Sequence, residues 1–69
     1  MRQLDLHGVR HSEVDRIVEN FLFQYQYDLP LLIICGNSNR MVYLVKRVTE
    51  RLRCDVEMIR YGQVIVRNF

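Results

Sequence analysis

Asp5 and His7 lie two residues apart in the run Gln3-Leu4-Asp5-Leu6-His7, where polar and apolar residues alternate. In an extended strand that spacing places the carboxylate and the imidazole on one face. A carboxylate beside an imidazole raises its pKa and can fix its tautomer. Such a pair can act as general acid or base in phosphodiester cleavage. The spacing is equally that of an exposed Asp and His at a strand end, and both readings stay open on spacing alone. A second group, Gly36-Asn37-Ser38-Asn39-Arg40, follows an apolar run and opens a helical pattern. The first N–H groups of a helix are unpaired and attract anions such as phosphate. Gly36 lets a backbone approach closely. The side chains of Asn37 and Ser38 can donate hydrogen bonds to phosphate, and Arg40 supplies charge. Gly8 and Arg10, next along from His7, are placed to meet a neighbouring phosphate.

The elements that must position these residues follow from hydrophobic periodicity. Residues 3–7 read as a strand with Leu4 and Leu6 on its inner face and Gly8 at its end. Residues 12–26 read as a helix, with Val14, Ile17, Val18, Phe21, Leu22 and Tyr25 forming one apolar stripe. Ser12 is its expected N-cap, with Asp15 completing an imperfect capping box, and Asp28-Leu29-Pro30 stops it. Residues 31–35, Leu-Leu-Ile-Ile-Cys, suit a central strand covered on both faces or nearly so. Residues 40–53 read as a second helix with Met41, Leu44, Val45, Val48 and Leu52 inward, Ser38 or Asn39 as cap, and Arg51 and Arg53 at the carboxyl end, where the dipole favours cations. Residues 54–60 and 63–67 read as strands joined at Tyr61-Gly62.

The order is βαβαββ, which gives an α/β fold: an α+β two-layer sandwich of a four-stranded mixed sheet with two helices on one face, in one domain spanning 1–69. Each strand-helix-strand crossover implies parallel strands. If the first two strands are neighbours, Asp5 and His7 share the carboxyl edge of the sheet with the Gly36 loop. Ligands of open α/β sheets bind at that edge.

Composition bounds the function classes. The chain has 69 residues, 49% hydrophobic, with one Pro and three Gly, which argues against a disordered segment. No apolar run approaches the ~18 residues that span a bilayer. The opening Met1-Arg2-Gln3-Leu4-Asp5 lacks the marks of a secretory signal. The expectation is a soluble, cytoplasmic protein with no membrane partner. Cys35 and Cys54 sit among apolar residues and do not make a disulfide framework. No metal-ligand spacing is present, and no cofactor or metal is expected.

The formal net charge is +2, but its distribution is uneven. Residues 12–28 hold Glu13, Asp15, Glu19 and Asp28 against Arg16, while residues 29–53 hold Arg40, Lys46, Arg47, Arg51 and Arg53 against Glu50. An acidic helix followed by a basic one can present a phosphate-binding face or two solvated helix faces. Arg60 and Arg67 can extend the basic surface. His11 reads as a capping or exposed residue, Tyr25 as core, and Phe23 and Tyr27 as interface candidates.

Leu4-Asp5-Leu6-His7-Gly8 is similar to the LDLHG motif that opens Smr (small MutS-related) domains. The resemblance continues through Ser12-Glu13-Val14. It passes Ile33-Ile34-Cys35-Gly36-Asn37-Ser38, similar to the family's Ile-Ile-Thr-Gly-x-Gly segment, and ends with Tyr61-Gly62 and Val64-Ile65-Val66. It covers nearly the whole chain in order. The resemblance implies a fold like the C-terminal domain of translation initiation factor three, nucleic-acid binding, and in several members nicking of DNA or cleavage of RNA, including messenger RNA on stalled ribosomes. It ties that activity to Asp5 and His7, and substrate contact to the loop from Gly36 to Asn39. Cys35 replaces the family's Thr, Asn37 a residue that is often basic, and Ser38 the second loop glycine. The loop is therefore less flexible and less cationic, and Arg40 can restore the charge.

The resulting expectation is a small stand-alone endonuclease that cleaves RNA, in preference to nicking DNA, and needs no metal on RNA. His7 serves as acid or base and activates the 2′-hydroxyl, Asp5 orients and charges it, and Gly36, Asn37, Ser38, Asn39 and Arg40 hold phosphate beside Gly8 and Arg10. The ribosome is a possible partner. Two alternatives are a nucleic-acid-binding module without catalysis, and a protein-interaction domain that binds a ribosomal or replication partner through Phe23, Tyr27 and the acidic helix.

Overall fold

The computed structural model describes residues 1–69. Its elements run β1 (Gln3–Asp5), α1 (His11–Gln24), β2 (Leu31–Ile34), α2 (Asn39–Arg51), β3 (Asp55–Arg60) and β4 (Gln63–Asn68). The sheet order is β1-β2-β4-β3, with β1 and β2 parallel and β4 antiparallel to both its neighbours. β2 and β3 therefore run the same way, as a crossover through α2 requires, and β4 inserts between them. This is the four-stranded mixed sheet with two helices that the βαβαββ pattern predicts. No helix is long and apolar enough to cross a membrane.

One apolar cluster joins the two layers. Leu6, Leu31, Ile33, Cys35, Val64 and Val66 from the sheet side meet Val14, Val18, Phe21 and Leu22 of α1 and Met41, Val42, Val45 and Val48 of α2. In register, Ile33 lies beside Leu4 and Val64, and Leu31 beside Val66. These side chains share one face because strand side chains alternate, so both helices cover that face. Of the expectation that β2 is covered on both faces or nearly so, the second alternative holds. Leu32 and Ile34 are only half-buried, since no helix reaches the second face. Ile65, between them and β3, is buried without joining the helix-side core.

The helix ends depart from the periodicity. α1 begins at His11, with Arg10 as an extended N-cap that makes no side-chain capping bond. Ser12 therefore lies inside the helix and does not cap it. A backbone turn from Leu6 to Val9 (3.0 Å) brings the chain into helical geometry early, and the Glu13 N–H already donates to the Arg10 carbonyl (2.9 Å). α1 ends at Gln24, not 26, and Tyr25 is its C-cap.

α2 ends at Arg51, not 53. The Cys54 N–H donates to the Thr49 carbonyl and the Arg53 N–H to the Glu50 carbonyl, the two bonds of a Schellman motif. Arg53 takes the left-handed position with φ 57°, where an L side chain costs roughly 1–2 kcal/mol. Only glycine would have marked this stop in the sequence.

Cys35 and Cys54 are both free thiols. Cys35, directly after β2, is buried, and burial pushes its thiol from 9.0 up to about 11. Partial burial also pushes the Cys54 thiol up. The folded chain keeps the Cys35 proton that the unfolded chain releases near pH 9. The thiol's contribution is therefore intact below pH 9 and is lost as pH rises toward 11. Urea melts of the parent chain and of Cys35→Ala should diverge across that window by on the order of 2 kcal/mol. Parallel pH curves would contradict the burial of this thiol.

Candidate nucleic-acid interface

The β1–β2 ladder pairs Gln3 with Leu32, Leu4 with Ile33 and Asp5 with Ile34. One further bond, from the Leu6 N–H to the Ile34 carbonyl at 2.9 Å, carries the pairing past the strand end. The tips of β1 and β2 are thus tied side by side, at the carboxyl edge of both strands.

The chain then turns. Leu6-His7-Gly8-Val9 closes through the Val9 N–H on the Leu6 carbonyl, with Gly8 at φ 80° in third place. A positive φ there is the type II pattern that calls for glycine. Leu6 is fully buried beneath the turn, and His7 is exposed at its second position.

Because the chain leaves the strand at Leu6, Asp5 and His7 do not meet as strand neighbours. The Oδ1 of Asp5 instead accepts the backbone N–H of His7 at 2.9 Å. The expectation that Asp5 directly orients and charges the imidazole is corrected: the carboxylate holds the main chain that carries His7, and the imidazole has no hydrogen-bonded partner within the chain.

On the β2 side, the Cys35 N–H donates to the Gly62 carbonyl at 2.6 Å, and Gly36 turns the chain with φ 70°. Ser38 caps α2 as predicted, its Oγ accepting the Met41 N–H at 3.1 Å. That bond uses an acceptor site of the hydroxyl and leaves its O–H free to donate. The N–H groups of Asn39 and Arg40 have no acceptor within the chain. No acidic residue occupies the first turn of α2, so nothing neutralises its positive end. Asn37, Asn39 and Arg40 are exposed.

A second glycine packs against this loop from the β3–β4 turn. A Cβ at Gly36 would meet nothing within 4 Å, so Gly36 is required by its φ and the space above it is open. The close backbone contact is made by Gly62 in the β3–β4 turn, where a Cβ would fall 2.0 Å from the Gly36 carbonyl oxygen.

The charge pattern is also partly corrected. Arg51, on the basic helix, bridges to Glu19 (2.7 Å) and Asp15 (3.4 Å) of α1. The hydrogen bond to Glu19, aided by Asp15, holds its guanidinium pKa above the ordinary value. Arg67 is tied to Glu57 and does not extend a free basic surface, because β3 and β4 place the two side by side. Arg2 pairs with Asp28 and Arg16 with Glu13. Arg10, Arg40, Lys46, Arg47, Arg53 and Arg60 are exposed and make no ion pair.

The remaining candidates are elsewhere. His11 is the first residue of α1 and exposed. Tyr25 is half-buried, edge-on to Phe21 and under the Arg2 guanidinium. Phe23 and Tyr27 are exposed, with Phe23 edge-on to Phe69. They lie at or beyond the carboxyl end of α1, and since α1 starts from the edge bearing His7, they belong to the opposite edge. No three His, Cys, Asp or Glu side chains gather to hold a metal ion. The one surface depression, lined by Asp15, Arg47, Glu50 and Arg51, lies between the polar faces of the helices.

Sequence reasoning passed over Tyr43. It is half-exposed on α2, with the guanidiniums of Arg40 and Arg47 at 5.5 and 5.9 Å from its ring. The i−3 and i+4 spacing of the two arginines was the available signal. No protein-family model, curated protein or solved structure matches this chain.

Proposed function

We propose that this domain binds a nucleic-acid strand across the joined tips of β1 and β2 and, when the strand is RNA, cleaves it there. The observation that carries the reading is the adjacency, on one sheet edge tied by the Leu6–Ile34 bond, of an exposed imidazole and a helix start whose Asn39 and Arg40 N–H groups are unpaired and whose first turn has no acidic residue. The resemblance of Leu4 to Gly8 to the Smr opening motif points the same way. In this reading His7 takes the proton from a 2′-hydroxyl, the freed oxygen attacks the adjacent phosphorus, and the P–O5′ bond breaks as the 5′-oxygen takes a proton from solvent water, the resulting hydroxide being neutralised by the proton that His7 gives back. The products are a 2′,3′-cyclic phosphate and a 5′-hydroxyl. The amides of Asn39 and Arg40, the Arg40 guanidinium and Arg10 face the charge that grows on the phosphoryl oxygens, the preorganised arrangement that stabilises such transition states. Asn37 and Ser38 orient the strand, and Gly8 keeps the turn open beside it.

A labelled single-stranded RNA, its all-deoxy counterpart and a DNA duplex test the proposal. Cleavage of the RNA alone, in the presence of chelator and with cyclic phosphate ends, is the expected result. If three or four phosphates are held, affinity should fall roughly 20- to 50-fold between 50 and 200 mM salt. An affinity indifferent to salt would favour a protein partner instead. Binding without turnover is the second reading, and one observation favours it: nothing in the chain sets the tautomer of the His7 imidazole. A strand bound tightly but recovered intact in every buffer would establish that reading over cleavage.

A further inference from the structure

The outward face of α2 carries a pattern that the edge site does not use. Met41, Val42, Val45 and Val48 turn inward, so Tyr43 points away from the core and is 52% exposed. Two guanidiniums lie over its ring, Arg40 at 5.5 Å and Arg47 at 5.9 Å from the centroid. Lys46 is exposed on the next turn. From Asn39 to Thr49 the helix has no acidic residue. Elsewhere the chain pairs its arginines with carboxylates where these are in reach: Arg2, Arg16, Arg51 and Arg67 are all bridged. Arg40, Lys46 and Arg47 make no ion pair around the exposed aromatic ring, although Asp15 and Glu50 line the depression beside Arg47.

We infer that this face is a track for single-stranded nucleic acid, on which one base stacks against Tyr43 while Arg40 and Arg47 hold the phosphates on either side. The inference rests on the edge site proposed above, because Arg40 ends that site and begins this stripe. Charge complementarity selects the occupant. A polyanion supplies the missing counter-charges, and an apolar protein surface would bury them unpaired, at a cost. The ring selects a single strand, because a duplex keeps its base faces stacked on each other. Every base offers a π face, so this contact reads no sequence. From Arg40 to Arg47 the helix rises about 10 Å, the length of roughly three nucleotides at the stacked spacing of about 3.4 Å. A base that enters displaces one guanidinium from the ring toward the adjoining phosphate, and the other remains over the ring.

The test uses oligouridylates of two, four and eight nucleotides, with binding followed by fluorescence competition. Two nucleotides reach only the edge, while four or more reach Tyr43. The expected gain in affinity from two to eight nucleotides in the parent chain is on the order of 100-fold, and Tyr43→Leu should cut that gain about tenfold. Tyr43→Phe should retain it, since the ring and not the hydroxyl is used. Arg47→Gln should flatten the salt slope for the octamer by about 0.7 and leave the dimer slope as it was. Circular dichroism of each variant establishes that the fold is kept. If the octamer binds the parent and Tyr43→Leu equally well, the track is wrong and the edge site stands. If the parent binds no oligouridylate, both readings fall. If the gain depends on Tyr43 but no strand is cleaved, the track stands and the edge site binds without catalysis.

Discussion

Gly62→Ala is expected to destabilise the fold by about 3 kcal/mol or more, a large share of the roughly 3–10 kcal/mol that a domain of this size has. Two penalties coincide. Gly62 sits at φ 82°, a conformation that costs an L residue roughly 1–2 kcal/mol. The added methyl would also fall 2.0 Å from the Gly36 carbonyl oxygen and 3.0 Å from its carbon. Both are backbone atoms, which cannot rotate aside as a flexible side chain would. Relief requires moving the Gly36 turn away from the hairpin, which breaks the 2.6 Å bond from the Cys35 N–H to the Gly62 carbonyl.

Gly36→Ala is the control. It carries the same kind of strain, at φ 70°, but its methyl enters open space, so the cost should stay near 1–2 kcal/mol. Urea denaturation of both variants measures the difference. Amide chemical shifts should move at residues 36–39 in Gly62→Ala, although the substitution lies more than twenty residues away. Equal costs for the two substitutions would remove the contact from the account. The Gly36 loop holds the start of α2, so Gly62→Ala should also weaken strand binding without altering any residue that faces the strand.

That contact shows where the sequence stops being legible. Periodicity revealed the element order and the inward stripes of the helices, because each depends on residues a few positions apart. Tyr61-Gly62 was readable as a turn for the same reason. Its role against Gly36 was not, because it arises only when β4 inserts between β2 and β3, a long-range pairing that no local pattern records. Helix ends failed differently. Ser12 looked like a cap, but the Leu6–Val9 turn delivered the chain into helical geometry before it. Arg53 occupies a glycine's conformation without being glycine. At the candidate site the residue types were legible and one relation was not. Alternation put the Asp5 and His7 side chains on one face, whereas the turn after Leu6 left Asp5 holding a backbone amide. Tyr43 was missed although its two arginines stand at helical spacing and the inward stripe of the second helix already left it outside.

Substitutions at His7 and Asp5 distinguish what each side chain does. His7→Ala should slow RNA cleavage by about 10²- to 10⁴-fold, the usual range for a lost general acid or base. Its fold should be unchanged, because the buried Leu6 and the Val9–Leu6 bond hold the turn and the exposed imidazole makes no hydrogen bond. Strand affinity should fall little, since the proposed phosphate contacts lie on Arg10, Arg40 and the amides of α2. Asp5 offers a sharper distinction. If the carboxylate acts by fixing the His7 main chain, Asp5→Asn keeps a side-chain oxygen for that N–H and should retain activity within about threefold, while Asp5→Ala leaves the amide unpartnered and should lose tenfold or more. If instead its negative charge acts on the imidazole, the two variants should be equally impaired, and the acid limb of the pH–rate profile should shift in both. The bond at 2.9 Å from the His7 N–H to Asp5 favours the first outcome. On the proposed cleavage, that outcome would make Asp5 a positioning residue, acting through the backbone that presents His7.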